Sequence, residues 1–171
     1  METLYYLDGK IKQNAIIHEN LPFDKEVITY FINGCIHKKT YYKNGKIHNE
    51  NNPAKEKYFD NGSIFIEEYY TNGVLHNDIK PAKIMYSENG KIKIQEWYRN
   101  GTICRDDDKA TYIEYNNDGT MKYCKYVKNN ILMKERHFEK DNIKSTNILY
   151  YESGKIKQKD WCENWYIHRI N

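Results

Sequence analysis

The sequence predicts an all-β fold: a repetitive antiparallel meander of β-hairpins, with about 28 residues per two-turn unit, drawn out into an elongated twisted or curled sheet. Three observations predict it. The glycines fall at fixed intervals, tyrosine or tryptophan stands four residues before most turns, and the residues between turns alternate with a period of two.

The turns come first. One glycine series runs Gly34, Gly62, Gly90 and Gly119, with Gly9 and Gly154 as outlying members. The other runs Gly45, Gly73 and Gly101, with Asn130 in the next copy. Both series step by 28, 28 and 29 residues. Most of these glycines follow Asn, and Gly9 and Gly119 follow Asp8 and Asp118. Both central residues of a type I′ turn need positive φ, which these types tolerate best, so every pair is read as a tight hairpin tip. Asn129-Asn130 keeps that logic without glycine, and Asn164-Trp165 stands where a last, degenerate tip is expected.

The rings give an independent register. Tyr30, Tyr58, Tyr86, Tyr115 and Tyr150 precede the first series of turns, as does Tyr5. Tyr41, Tyr69, Trp97 and Tyr126 precede the second, with Trp161 before the degenerate tip. Two aromatic ladders are expected. Between turns, Ile92, Ile94, Glu96 and Tyr98 alternate with Lys93, Gln95 and Trp97, and Ile64, Ile66, Glu68 and Tyr70 repeat this in the preceding copy. Large rings occur on both sides of the alternation, so the sheet is expected to curl or to be covered in part on both faces.

After each second tip the chain reads as a short strand, a polar loop and a Pro-Ala pair. Leu75-His76, then Asn77 to Lys80, then Pro81-Ala82 form one copy; Ile47-His48, Asn49 to Asn52 and Pro53-Ala54 form another. Proline has no backbone donor and belongs at a strand start or edge. In the next copy Lys109-Ala110 stands for Pro-Ala, and the extra residue between Ala110 and Tyr115 marks a candidate β-bulge. The chain is read as one array over residues 1–171: a degenerate N-terminal cap at 1–26, regular repeats at 27–133, and a degenerate C-terminal repeat and cap at 134–171.

Composition narrows the function classes. Seventeen tyrosines supply burial with a hydroxyl kept at the water boundary, as thin sheets require. The 27 basic and 24 acidic residues are mixed along the chain, with no basic block of the kind a dedicated nucleic-acid binder concentrates. Cys35, Cys104, Cys124 and Cys162 have no metal-site spacing and are expected to be reduced, which with the absence of a leader signature points to a soluble, intracellular, cytoplasmic protein. No apolar run approaches the roughly 20 residues that cross a bilayer.

The strings Tyr41 to His48, Tyr69 to His76 and Trp97 to Ile103 resemble MORN-type repeats. They are most similar to the variant with a Tyr-Tyr-x-Asn-Gly-Lys core, the YwqK family associated with bacterial antitoxins. The version with Asn-Gly-x-Leu-His followed by Pro-Ala looks like repeat proteins of phages and large DNA viruses. The resemblance spans roughly residues 27–133. It implies a meander of hairpins without an assigned catalytic site, and possible association with a virion or inhibition of a partner protein.

Candidate chemistry is sparse. His37, His48, His76 and His168 stand three residues after a tip, where Cys104 and Met133 stand in other copies. A metal ladder is one reading. A packing position is the reading taken, because equivalent side chains two strands apart lie about 10 Å apart while two ligands of one metal lie far closer. Asp106, Asp107 and Asp108 could hold a hard cation but lack the glycine and distal glutamate of a recognised loop. Lys10, Lys12, Lys91, Lys93, Lys155 and Lys157 flank the Ile of Gly-Lys-Ile-Lys tips and could meet phosphates, though Glu67, Glu68, Glu96 and Asp160 dilute the charge. No nucleophile, zinc or phosphate-loop motif is present. The expectation is a non-catalytic interaction or scaffold module for another protein, with no cofactor and no metal. The alternatives are an antitoxin-like inhibitor and a nucleic-acid or anionic-membrane binder, which would need its lysines gathered on one face.

Overall fold

A computed structural model describes residues 2–5, 7–17, 24–105, 109–139, 144–163 and 166–170. Its strands are β1 (Glu2–Tyr5), β2 (Ile11–Ile17), β3 (Lys25–Tyr30), β4 (Ile36–Lys43), β5 (Lys46–Ile47), β6 (Lys55–Tyr58), β7 (Ile64–Glu68), β8 (Tyr70–Thr71), β9 (Val74–Leu75) and β10 (Lys83–Tyr86). They continue as β11 (Ile92–Glu96), β12 (Tyr98–Arg99), β13 (Thr102–Ile103), β14 (Tyr112–Tyr115), β15 (Met121–Lys128), β16 (Ile131–Phe138), β17 (Lys144–Tyr150), β18 (Ile156–Glu163) and β19 (Tyr166–Ile170). The fold is all-β, and no helix occurs among the described residues.

Fifteen strands form one sheet whose path runs β1-β2-β3-β4-β6-β7-β10-β11-β14-β15-β16-β17-β18-β19, with β5 attached to β4. Every described neighbour pair is antiparallel, and the path does not return on itself, so the sheet is an open meander. The ribbons β8-β9 and β12-β13 stand off it as separate two-stranded sheets. They form because the chain leaves the main sheet at Tyr69 and Trp97, makes a tight reversal, and comes back through the polar loop.

The two turn series differ in kind, which corrects the expectation of type I′ tips throughout. In the second series both central residues have positive φ: Asn44 50° with Gly45 73°, Asn72 52° with Gly73 89°, Asn100 49° with Gly101 77°, and Asn129 52° with Asn130 62°. These are type I′ turns. In the first series the glycine alone has positive φ, as at Gly62 (84°) and Gly90 (79°). There the Gly90 N–H donates to the Ser87 carbonyl at 2.8 Å and the Ser87 N–H donates to the Lys91 carbonyl at 2.9 Å, a three-residue loop ending in a bulge glycine. The preceding Asn or Asp is selected for its side chain: Asn33, Asn61, Asn89 and Asp118 each accept, through Oδ1, the backbone N–H two residues on.

The register slips by one residue beside every first-series turn, between Thr29 and Tyr30, Lys57 and Tyr58, Met85 and Tyr86, Glu114 and Tyr115, and Leu149 and Tyr150. The bulge is therefore a property of the repeat and not of the added residue near Ala110. That residue is absorbed in the connection. The Trp97 N–H donates to the Thr111 carbonyl where Tyr69 donates to Ala82 and Tyr41 to Ala54, so Thr111 takes the place assigned to Ala110.

One row explains the Pro-Ala pair. Across successive strands it reads Tyr41, Ala54, Tyr69, Ala82, Trp97, Thr111, Tyr126, alternating a ring with a small residue. Strands lie about 4.8 Å apart, too close for large rings on every one, so Ala54 and Ala82 (both 0% exposed) and Thr111 (1%) leave the room that Tyr69 and Trp97 fill. Trp97 then packs with Ala110, Ile113 and Cys124, and Tyr115, Met121, Tyr126 and Phe138 flank that cluster.

Following the register from strand to strand assigns each side chain to a face. Tyr30, Tyr58, Tyr86 and Tyr115 share one face with Tyr41, Tyr69, Trp97 and Tyr126, so the two ladders lie side by side on what is here called the tyrosine face. Tyr150 and Trp161 lie on the opposite face, because β15 and β16 pair directly through Asn129-Asn130 and β17 follows in a register shifted by one.

Candidate interaction surface

The second-series tips stack into a column beside the sheet. The Gly73 N–H donates to the Ile47 carbonyl and the Gly101 N–H to the Leu75 carbonyl, at 2.9 and 2.8 Å. The imidazole Nδ1 of His48 accepts the Asn72 N–H at 3.2 Å, and Nδ1 of His76 accepts the Asn100 N–H at 3.2 Å. These histidines are links between copies, a role that a general packing position does not describe. His37 differs: it is exposed, lies 4.6 Å from the Phe31 ring, and contacts Thr29 Oγ1. No group of three or more His, Cys, Asp or Glu able to hold a metal occurs among the described residues. The Asp106–Asp108 run, the Asn164-Trp165 tip and the His168 side chain lie outside the described residues.

Shallow depressions recur along this column, each against a ring of the second ladder. One is lined by Tyr41, His48 and Glu50, one by Tyr69, His76 and Asp78, one by Trp97 and Arg105, and one by Tyr126 and Met133. Several of their charged groups are engaged within the column. Lys43 pairs with Glu50 at 2.5 Å and Arg99 Nε with Asp78 at 3.2 Å. Lys80 Nζ and Arg105 Cζ each sit 4.2 Å from the ring centroids of Tyr69 and Trp97. Asn49 and Asn77 fold the polar loops inward by accepting the N–H groups of Asn51 and Asn52, and of Ile79 and Lys80.

On the tyrosine face the phenols are tied to acceptors. Tyr86 Oη donates to Glu67 Oε2 at 2.7 Å and Tyr115 Oη donates to Gln95 Oε1 at 2.8 Å, while burial and the nearby Glu26 and Glu56 carboxylates push the Tyr41 and Tyr58 phenols up. Burial and then the Glu67 hydrogen bond push the Tyr86 phenol well above its ordinary range. Glu56 and Glu67 are directly opposed across β6 and β7, and burial first, with Glu67 adding, raises the Glu56 carboxyl. Near the C-terminal end the same chemistry reappears on the other face, where Tyr123 and Tyr150 donate to the two oxygens of Glu135 at 2.6 and 2.7 Å.

That opposite face is a lysine face. Successive strands carry Thr40, Lys55, Glu68, Lys83, Glu96, Tyr112, Lys125 and Glu135 in one row. Lys55 pairs with Glu68 and Lys83 with Glu96, both at 2.9 Å. Each of these carboxylates has its Oε2 shut off from water and balanced by the ammonium. Burial works to lower both lysine pKa values, and the bond to the carboxylate outweighs it, so both end raised. One row over, Lys38 stands directly opposite Lys57, and neither pairs with a described residue. Lys25 and Lys159 share this face. These lysines escape a sequence reading because only the register decides which way they point. The tip lysines sit at the turn edge: Lys10 is near Asp8, Lys91 donates to the Asn117 carbonyl, Lys93 occupies a bulge and Lys157 lies over Tyr151; the Lys12 side chain is outside the described residues.

The chain matches no family model and none of the curated proteins. No helix of the described residues is long and apolar enough to cross a membrane.

Proposed function

We propose that this chain is a non-catalytic interaction module whose broad, regular sheet surface engages another protein. The observation that carries the reading is the division of its charges. In the tip depressions Lys43 pairs with Glu50 and Arg99 with Asp78, whereas Lys38 and Lys57 lie side by side on an extended face with no described partner. A long antiparallel array of this kind presents area and regular spacing. The resemblance to MORN-type repeats agrees with it.

The test is affinity capture from the native host with the wild-type chain and with sheet-face variants. A protein recovered with wild type and lost with a face variant is the expected result; recovery of no protein, or of nucleic acid alone, contradicts it. A second reading, an anionic polymer or membrane surface, is favoured by the lysines collected on one face. It requires binding that falls steeply as salt rises.

A further inference from the structure

We propose that the lysine face, centred on Lys38 and Lys57, docks an acidic polypeptide segment of the partner; this rests on the interaction-module reading above. Like charges directly opposed across an antiparallel pair oppose sheet formation. One row away, neighbouring strands set lysine against carboxylate, with Lys55 against Glu68 across β6 and β7 and Lys83 against Glu96 across β10 and β11. At Lys38 and Lys57 the flanking partners are Thr29 and Ile66, so no carboxylate answers them in the sheet. Both lysines are half-buried. A half-buried lysine has already lost part of its side-chain freedom, which lowers the ordering cost of binding an anion.

Lys25, on β3, adds a cation to this face beside β4, and Lys125 lies on the same face farther along the sheet, on β15. A carboxylate-bearing chain laid across β4 and β6 meets Lys38 and Lys57 on adjacent strands, whose backbones lie about 4.8 Å apart. Rings on this face do not suit nucleobases. Lys25 lies 5.3 Å from the Tyr42 ring, and Lys125 lies 5.3 and 5.4 Å from those of Tyr112 and Tyr123. Phe59 packs on Phe65 at 4.8 Å and Tyr123 on His137 at 4.4 Å. Single-stranded nucleic acid binds by stacking bases on free ring faces, and carboxylates need only the ammonium groups.

The experiment measures binding of the full chain to poly-L-glutamate by fluorescence anisotropy, with oligothymidylate and phosphatidylserine vesicles as competing probes. Wild type is expected to bind poly-L-glutamate, with affinity falling as salt rises. Lys38→Glu with Lys57→Glu is expected to weaken binding by about tenfold or more, and a control at exposed tips, Lys46→Glu with Lys128→Glu, by less than about threefold. Lys38→Gln with Lys57→Gln keeps the test decisive if the glutamate pair unfolds. Absence of binding, equal binding by the Lys38/Lys57 variants, or tighter binding of oligothymidylate or vesicles overturns the assignment. If a host protein co-purifies equally with wild type and the glutamine pair, the docking face is wrong and the interaction module stands; if none co-purifies, the module reading itself falls.

Discussion

Nδ1 of His76 accepts the backbone N–H of Asn100 at 3.2 Å, tying the end of one repeat to the tip of the next. An acceptor at Nδ1 puts the proton on Nε2, which faces Asp78 Oδ2 at 3.3 Å. His48 and Asn72 repeat the arrangement one copy earlier. Replacing His76 by Leu is expected to cost roughly 1 kcal/mol, the worth of an ordinary hydrogen bond, in urea unfolding. Long-range nitrogen-proton NMR correlations are expected to show both rings as the Nε2–H tautomer; an Nδ1–H tautomer would contradict the link.

Asn89 and Asn100 both precede glycine, yet they should respond oppositely to substitution. Asn100 has a φ of 49°, so Asn100→Ala is expected to cost roughly 1–2 kcal/mol in left-handed strain and Asn100→Gly almost nothing. Asn89 holds the Lys91 N–H with its side chain, so Asn89→Gly is expected to destabilise by about 1 kcal/mol. Thermal melts of the three variants decide it, and equal effects of glycine at both sites would refute the two-turn account.

Glu56 and Glu67 are like charges in direct register. The folded-state pKa of Glu56 is raised, so its contribution is favourable at acid pH and is lost as pH climbs through that raised value. Glu56→Gln is therefore expected to leave stability unchanged at acid pH. At neutral pH it is expected to stabilise by a few tenths of a kcal/mol, the scale of a partly screened cross-strand pair. A neutral-pH loss in chemical denaturation would be the contrary outcome.

Glu135 behaves the other way. Burial works to raise its pKa, but the hydrogen bonds from Tyr123 and Tyr150 outweigh this and the net shift is downward. Its stabilisation is present above the ordinary carboxyl range and lost as pH falls through the lowered value. Glu135→Gln is expected to cost about 1.5–3 kcal/mol at neutral pH, with the gap to wild type closing on acidification. The carboxylate bond also holds the Tyr150 phenol up at about 12. Ultraviolet titration of the variant should show two tyrosines, Tyr123 and Tyr150, moving down; an unmoved profile would argue against the pairing.

The sequence alone determined where the chain turns, which segments are strands, and that they repeat every 28 or so residues, because glycine placement and period-two alternation act locally. It did not separate the Asn-Gly pairs chosen for backbone φ from those chosen for a side-chain acceptor, since both leave the same two letters. Tertiary structure decided what depends on counting across connections. The residue added near Ala110 vanished into a loop and left Thr111 in the ring row, whereas the direct hairpin at Asn129-Asn130 sent Tyr150 and Trp161 to the far face. A shift of one residue in pairing reverses every side chain that follows, so the face on which Lys38 and Lys57 meet exists only once the register is set.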